Sequence, residues 1–200
     1  MRVAIAAVSD GHGGSRHFRS DVGAKLAVDC ALSQVEDFIR SIGVGAQVLE
    51  GYGASLRQLE QNIIYTWRNL VTTHIEKNPL TGEELQFCLQ KSLSLENPAV
   101  FYGATLLFAA MTQNYAFAVQ IGDGACVFLD GGDRECLPVP EDDRLFGNFT
   151  TSLCDANAIE SFRHHFSNTL PAAIFLATDG VVNSYAEETF LKFNREIRIH

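Results

Sequence analysis

Three apolar runs in this chain each hand on a carboxylate followed by glycine. Val3 to Ser9 leads into Asp10-Gly11, Ala116 to Gly122 into Asp123-Gly124, and Ala172 to Thr178 into Asp179-Gly180. An apolar run carries the acid to a strand end, and the glycine lets the chain turn sharply away. Three carboxylates meeting at one edge of a core would form a hard-oxygen site suited to a divalent metal. The first is extended into Asp10-Gly11-His12-Gly13-Gly14, which sets a histidine beside the acid in a loop of little side-chain bulk. A single Asp-Gly is a turn; three of them, one with a glycine-flanked histidine, read as a site.

The elements that must position these residues follow from periodicity. Arg2 to Ser9 reads as a strand. Apolar residues from Val22 to Ile42 recur at helical spacing, with Asp21 near the positive end of the dipole, which predicts a helix over 20–42. The glycine-rich stretch Gly43 to Gly53 predicts a loop. A second helix is expected over 54–77, with Trp67 on its apolar face and Asn78-Pro79 as its stop. A third is expected over 83–93. The pattern then changes to strands over 100–111, 115–121 and 125–129, read as consecutive antiparallel neighbours. A loop is expected over 138–151, with Glu141-Asp142-Asp143 as a solvated stretch. Glu160 to Phe166 reads as a short helical or extended piece that leaves His164-His165 at the surface. A strand over 174–178 and a helix over 187–194 complete the reading. Helices grouped early and strands late imply an α+β domain spanning 1–200.

Composition narrows the function classes. The net charge is -9, which argues against a nucleic-acid partner, since such a partner wants a basic face. An acidic protein that handles phosphate needs cations to offset its own field. The five cysteines, at 30, 88, 126, 136 and 154, are widely spaced and contain no Cys-x-x-Cys, so reduced thiols in a cytoplasmic protein are expected. The chain opens with no signal-peptide pattern. The apolar stretch Ala99 to Met111 is too short to span a bilayer and reads as a buried strand, so no membrane partner is expected.

Four segments in order carry a specific resemblance. Val8-Ser9-Asp10-Gly11-His12-Gly13-Gly14, Tyr102-Gly103-Ala104-Thr105-Leu106, Ile121-Gly122-Asp123-Gly124 and Ala177-Thr178-Asp179-Gly180-Val181 resemble the signature segments of the metal-dependent serine/threonine phosphatases, the PPM or type 2C family. Phe18-Arg19-Ser20-Asp21 and the segment 148–153 look most like its bacterial members. The resemblance implies an antiparallel β-sandwich flanked by helices, with Mn²⁺ or Mg²⁺ at one end: two or three ions, the third bound more weakly. It implies that Asp10 bridges two metals, that the Gly11 carbonyl and Asp179 are ligands, and that Asp123 helps to hold the third. It makes His12 the general acid that protonates the leaving oxygen, and a phosphoprotein the substrate.

The family also carries a phosphate-binding arginine and an acidic ligand pair before the Asp-Gly-His strand, and a Gly-x-Asp segment near its end. Neither has a counterpart here, so the domain is expected to be incomplete at both ends. Arg16 and Arg19 are the candidates to reach phosphate in place of that arginine. Three functions stay open on this reading: hydrolysis of phosphoserine or phosphothreonine, a non-catalytic pseudophosphatase that binds phosphopeptides or proteins, and hydrolysis of small phosphoesters.

Overall fold

The computed structural model describes residues 2–43, 52–132, 134–144 and 150–185. Its elements are β1 (Ala4–Val8), α1 (Ser20–Ile42), α2 (Tyr52–Lys77), α3 (Gly82–Gln90), a 3₁₀ turn (Pro98–Tyr102), β2 (Leu106–Met111), β3 (Ala116–Ile121), β4 (Ala125–Leu129), β5 (Glu135–Cys136), α4 (Ala158–Ser161), β6 (Arg163–Ser167), β7 (Ala173–Ala177) and α5 (Asp179–Val182). The expected helix over 187–194 and most of the expected 43–53 loop lie outside the described residues.

The strands form two antiparallel sheets, ordered β1-β2-β3-β6 and β5-β4-β7. The apolar run of β2, and that of β3 broken only by the buried Gln120, follow from burial on both faces, because successive side chains point to opposite sides. Leu106, Phe108, Ala110, Phe117, Val119 and Ile121 pack with the helices, beside Val35, Ile39, Leu59, Ile63 and Trp67. Leu107, Ala109, Ala116 and Ala118 face the second sheet and meet Cys126 and Phe128. Alanine dominates that inner layer on β2 and β3, so the sheets interlock through small side chains. The outer face of the second sheet buries Val127, Leu129 and Ala177 in a third cluster. The α+β sandwich read from the sequence is the observed fold.

Several expectations need correction. Residues 98–102 form a 3₁₀ turn, so the strand starts at Leu106 and not near residue 100. Pro98 lacks an N–H and suits the first turn of a helix, and Phe101 and Tyr102 are apolar because they are buried under the helices. β4 does not pair with β3; it crosses to the second sheet and pairs with β7. The crossing uses Gly122 at φ 102°, where a Cβ would strike Thr105. Residues 163–167 form a full strand paired to β3. His164 and His165 are therefore half-buried on opposite faces: Nδ1 of His164 lies 2.7 Å from the buried Glu60 carboxylate, and His165 stands edge-on to Phe128. Asp142 is not solvated; its side chain is 5% exposed and accepts two 2.8 Å hydrogen bonds from Arg144.

The helices are locked to the sheet end that carries the first motif. Gly23 in α1 lies so close to the Tyr102 carbonyl that a Cβ would overlap it, and its own carbonyl accepts a 3.0 Å hydrogen bond from Nε1 of Trp67. α1 buries mostly small residues here, Gly23, Ala27 and Ala31, where periodicity alone pointed to Val22 and Leu26. All five cysteines are free thiols, four of them buried and Cys136 exposed. Burial pushes the Cys30 and Cys126 thiols up to about 12. No helix among the described residues is long and apolar enough to cross a membrane.

Candidate active site

The ends of β1, β3 and β7 converge on one cleft of about 1030 Å³, lined by Asp10, Asp123, Asp179 and Asp155 with His12, Arg16, His17 and Lys91. The two sheets lie face to face, so strands from both deliver their following residues to the same end. Asp10 is fixed by reciprocal bonds across β1 and β2: its N–H donates to Oγ1 of Thr105 at 3.0 Å, and the Thr105 N–H donates to its carbonyl at 2.9 Å. The His12 N–H donates to the Gly103 carbonyl at 3.0 Å, so the Gly-rich loop continues the ladder for one more step. The Gly122–Gly124 turn is clamped by the buried Gln120, whose Nε2 donates to the Gly122 and Gly124 carbonyls. Asp179 opens α5 and accepts a 2.7 Å hydrogen bond from the Gly180 N–H.

Crowding of acids sets the electrostatics. The Asp10 carboxyl is pushed up by burial, then by a hydrogen bond and negative charge from Asp179, with Asp123 adding a smaller push. Asp123 is likewise raised, by burial first and then by the charge of Asp179. The Asp10 carboxyl thus favours a proton or a cation where it meets Asp179. Among the described residues no group of three or more His, Cys, Asp or Glu side chains is gathered tightly enough to hold a metal ion by itself. A carboxylate pair is nevertheless the donor set that suits Mg²⁺ or Mn²⁺, hard ions that retain waters and take few protein ligands.

His12 is pushed down to about 4, by burial first, with the Arg16 charge adding to it against the opposing pull of Asp155 and Asp179. Its ring lies 5.0 Å from that of His17. A Cβ on Gly103 would overlap both imidazoles. Gly103→Ala is therefore expected to displace His12 and lower kcat/KM on p-nitrophenyl phosphate by about 10²-fold. Turnover within threefold of the unaltered protein would show that the rings have room to move.

The two candidate phosphate arginines separate. Arg16 is exposed and lines the cleft. Arg19 is buried, and all five of its donors are engaged: Nε and Nη2 on Glu84 at 2.7 Å each, Nη1 on the Asn78 carbonyl and Oη of Tyr102, and Nη2 also on the Pro79 carbonyl. A guanidinium has five N–H groups, so none is left for phosphate. Arg19 ties α1 to α3 and to the end of α2, and does not serve the cleft.

The sequence did not single out Thr105, Ser152, Asp155, His17 or Lys91 as parts of the cleft. Ser152 Oγ accepts from the Ala104 N–H at 3.1 Å, and Asp155 caps the Ser152 N–H at 2.8 Å, which brings the 150–155 segment against the first motif. Lys91 arrives through a Schellman turn closing α3, in which Leu93 N–H donates to the Cys88 carbonyl and Ser92 takes a positive φ of 52°. A serine at that position hides the turn from sequence reading, since glycine is the usual signal.

A family model described as protein phosphatase 2C matches residues 1–198. Among solved structures, PppA, a regulatory component of the T6SS in Pseudomonas aeruginosa, is similar with a TM-score of 0.55 at 19% identity, covering 94% of this chain and 70% of that one. A bacterial serine phosphatase carrying a point mutation gives 0.57 at 14% identity, covering 94% and 69%. The Mycobacterium tuberculosis serine/threonine phosphatase PstP/Ppp gives 0.51 at 14% identity, covering 96% and 74%. At these identities the structural likeness speaks for the fold alone. No curated protein matches the chain in sequence. The family match, over motifs that the fold gathers into one cleft, identifies the chain as a member of the protein phosphatase 2C family.

Proposed function

We propose that this chain, as a single domain, hydrolyses phosphoserine and phosphothreonine in proteins with the help of Mn²⁺ or Mg²⁺. The observation that carries the reading is the convergence of Asp10, Asp123 and Asp179 on one cleft that also holds His12 and Arg16. Asp10, the Gly11 carbonyl and Asp179 would hold the principal ions, and Asp123 a weaker one. Such ions supply a water of lowered pKa and neutralise phosphoryl charge.

The chain's own residues do the rest. Arg16 presents guanidinium nitrogens to the phosphoryl oxygens, in a cleft otherwise rich in acids. His12 is held beside the acids by Gly103; burial keeps its ring neutral, and the negative charge of a bound phosphoryl group would favour the protonated form that donates to the leaving serine or threonine oxygen. General acid help of this kind is worth about 10²–10⁴-fold. The glycines at 11, 13 and 14 keep the loop thin, so substrate approaches the backbone closely. The free, mostly buried thiols support a reducing compartment, and we place the protein in the cytoplasm.

The test is hydrolysis of p-nitrophenyl phosphate and of a phosphothreonine peptide with Mn²⁺, with Mg²⁺ and with EDTA. Metal-dependent turnover of the peptide is expected, and Arg16→Ala is expected to lower kcat/KM by about 30-fold through loss of charged hydrogen bonds. A folded chain that binds the peptide without turning it over would instead be a pseudophosphatase. Turnover confined to small phosphoesters would remove the protein substrate.

A further inference from the structure

His17 sits 5% exposed beneath the loop that carries Arg16. Its Nδ1 lies 2.5 Å from the Val100 carbonyl, which accepts only, so Nδ1 carries the proton. Its Nε2 lies 2.8 Å from Nε of Arg16, which donates only, so Nε2 is bare. Two partners of opposite kind thus fix one neutral tautomer. Burial, the largest influence on the ring, also favours the neutral form.

The consequence falls on Arg16. Its Nε–H is spent on His17, while Nη1 and Nη2 make no hydrogen bond among the described residues, and the side chain lines the cleft. A long exposed arginine would otherwise sample many rotamers. Anchored at Nε, it keeps its forked end free for two oxygens of one anion. The same His17 ring packs against His12 at 5.0 Å, and both rings rest against Gly103.

We propose that His17 is a positioning residue that holds Arg16 in its phosphate-binding pose by accepting the Nε–H while anchored to the Val100 carbonyl. The proposal rests on the reading of Arg16 as the phosphate ligand. Pre-organising a flexible cation removes part of its ordering cost on binding, which is where the gain in affinity arises.

A double-mutant cycle on kcat/KM tests it, using Arg16→Ala, His17→Phe and the pair. Phenylalanine keeps a ring against His12 and removes both polar atoms. If His17 acts through Arg16, His17→Phe loses about 10-fold, and the double variant stays within about twofold of the roughly 30-fold loss of Arg16→Ala alone. A double loss near 300-fold, the product of the singles, overturns the proposal. His17→Asn keeps a donor and an acceptor, and serves if His17→Phe does not fold; recovery of activity in it supports the role. If the unaltered protein turns over no phosphoester, the phosphatase reading fails separately. The coupling is then read from the Tm shift that inorganic phosphate induces in the same proteins. A phosphate shift that His17→Phe retains in full while Arg16→Ala loses it would overturn the proposal on its own.

Discussion

Asp10→Asn is expected to lower kcat/KM on p-nitrophenyl phosphate by about 10³-fold in the presence of Mn²⁺, while the metal-free chain melts no lower than the unaltered protein. The two halves of this result have one cause. Asp10 stands in hydrogen-bonding contact with Asp179 and within the field of Asp123, and burial, Asp179 and Asp123 all oppose its ionisation. Without a cation these acids repel, so the site is held together at the expense of stability. An amide at position 10 relieves the repulsion and forfeits the charge that a divalent ion requires. Turnover with and without Mn²⁺, together with a thermal melt in EDTA, separates the effects. Undiminished turnover would count against Asp10 as a metal ligand. A clear fall in the EDTA melting temperature would instead make the loss a folding defect, because the backbone of Asp10 is paired to Thr105.

Arg19→Met is expected to destabilise the fold by about 4 kcal/mol, a drop of roughly 10 °C in Tm for a chain of this size, with the KM for p-nitrophenyl phosphate unchanged in the protein that remains folded. Methionine matches the stem but abandons the Glu84 carboxylate, the Tyr102 hydroxyl and two backbone carbonyls that guanidinium had satisfied. Glu84 serves two structures at once, since it also closes the capping box with Thr81 at the start of α3. Arg19 holds the Glu84 carboxyl down to about 2, against an ordinary 4.5.

A depressed carboxylate contributes stability that is fully present above the unfolded value. That contribution is lost as pH falls toward the folded one. The pair's share, on the order of 2 kcal/mol after allowance for solvent screening, should therefore drain away between about pH 4.5 and pH 2. Arg19→Met should show a shallower acid transition over that range. A variant that keeps its Tm but loses phosphate affinity would return Arg19 to the cleft.

The family and the acids of the candidate cleft were legible in the sequence because they are written in local signals. Apolar runs ending in Asp-Gly specify a strand, an acid and a turn within ten residues, and the Asp10 to Gly14 loop adds its histidine beside them. Burial of β2 could be read from its unbroken hydrophobicity, and the end of α2 from Asn78-Pro79. What periodicity could not tell was which buried surface an apolar residue serves. Phe101 and Tyr102 read as strand but form a turn under the helices, and β4 read as the neighbour of β3 but crosses to the other sheet.

The fate of the charged residues was decided only in three dimensions. Arg16 and Arg19 lie three apart in similar surroundings, yet one opens into the cleft and the other is spent on Glu84, 65 residues away. Asp142 and His164 read as surface and are held by Arg144 and Glu60. The residue types and their order fix what chemistry is possible, through side-chain composition and backbone conformation. Which donors remain free to perform it depends on partners distant in the chain, and only packing brings those partners within hydrogen-bond reach.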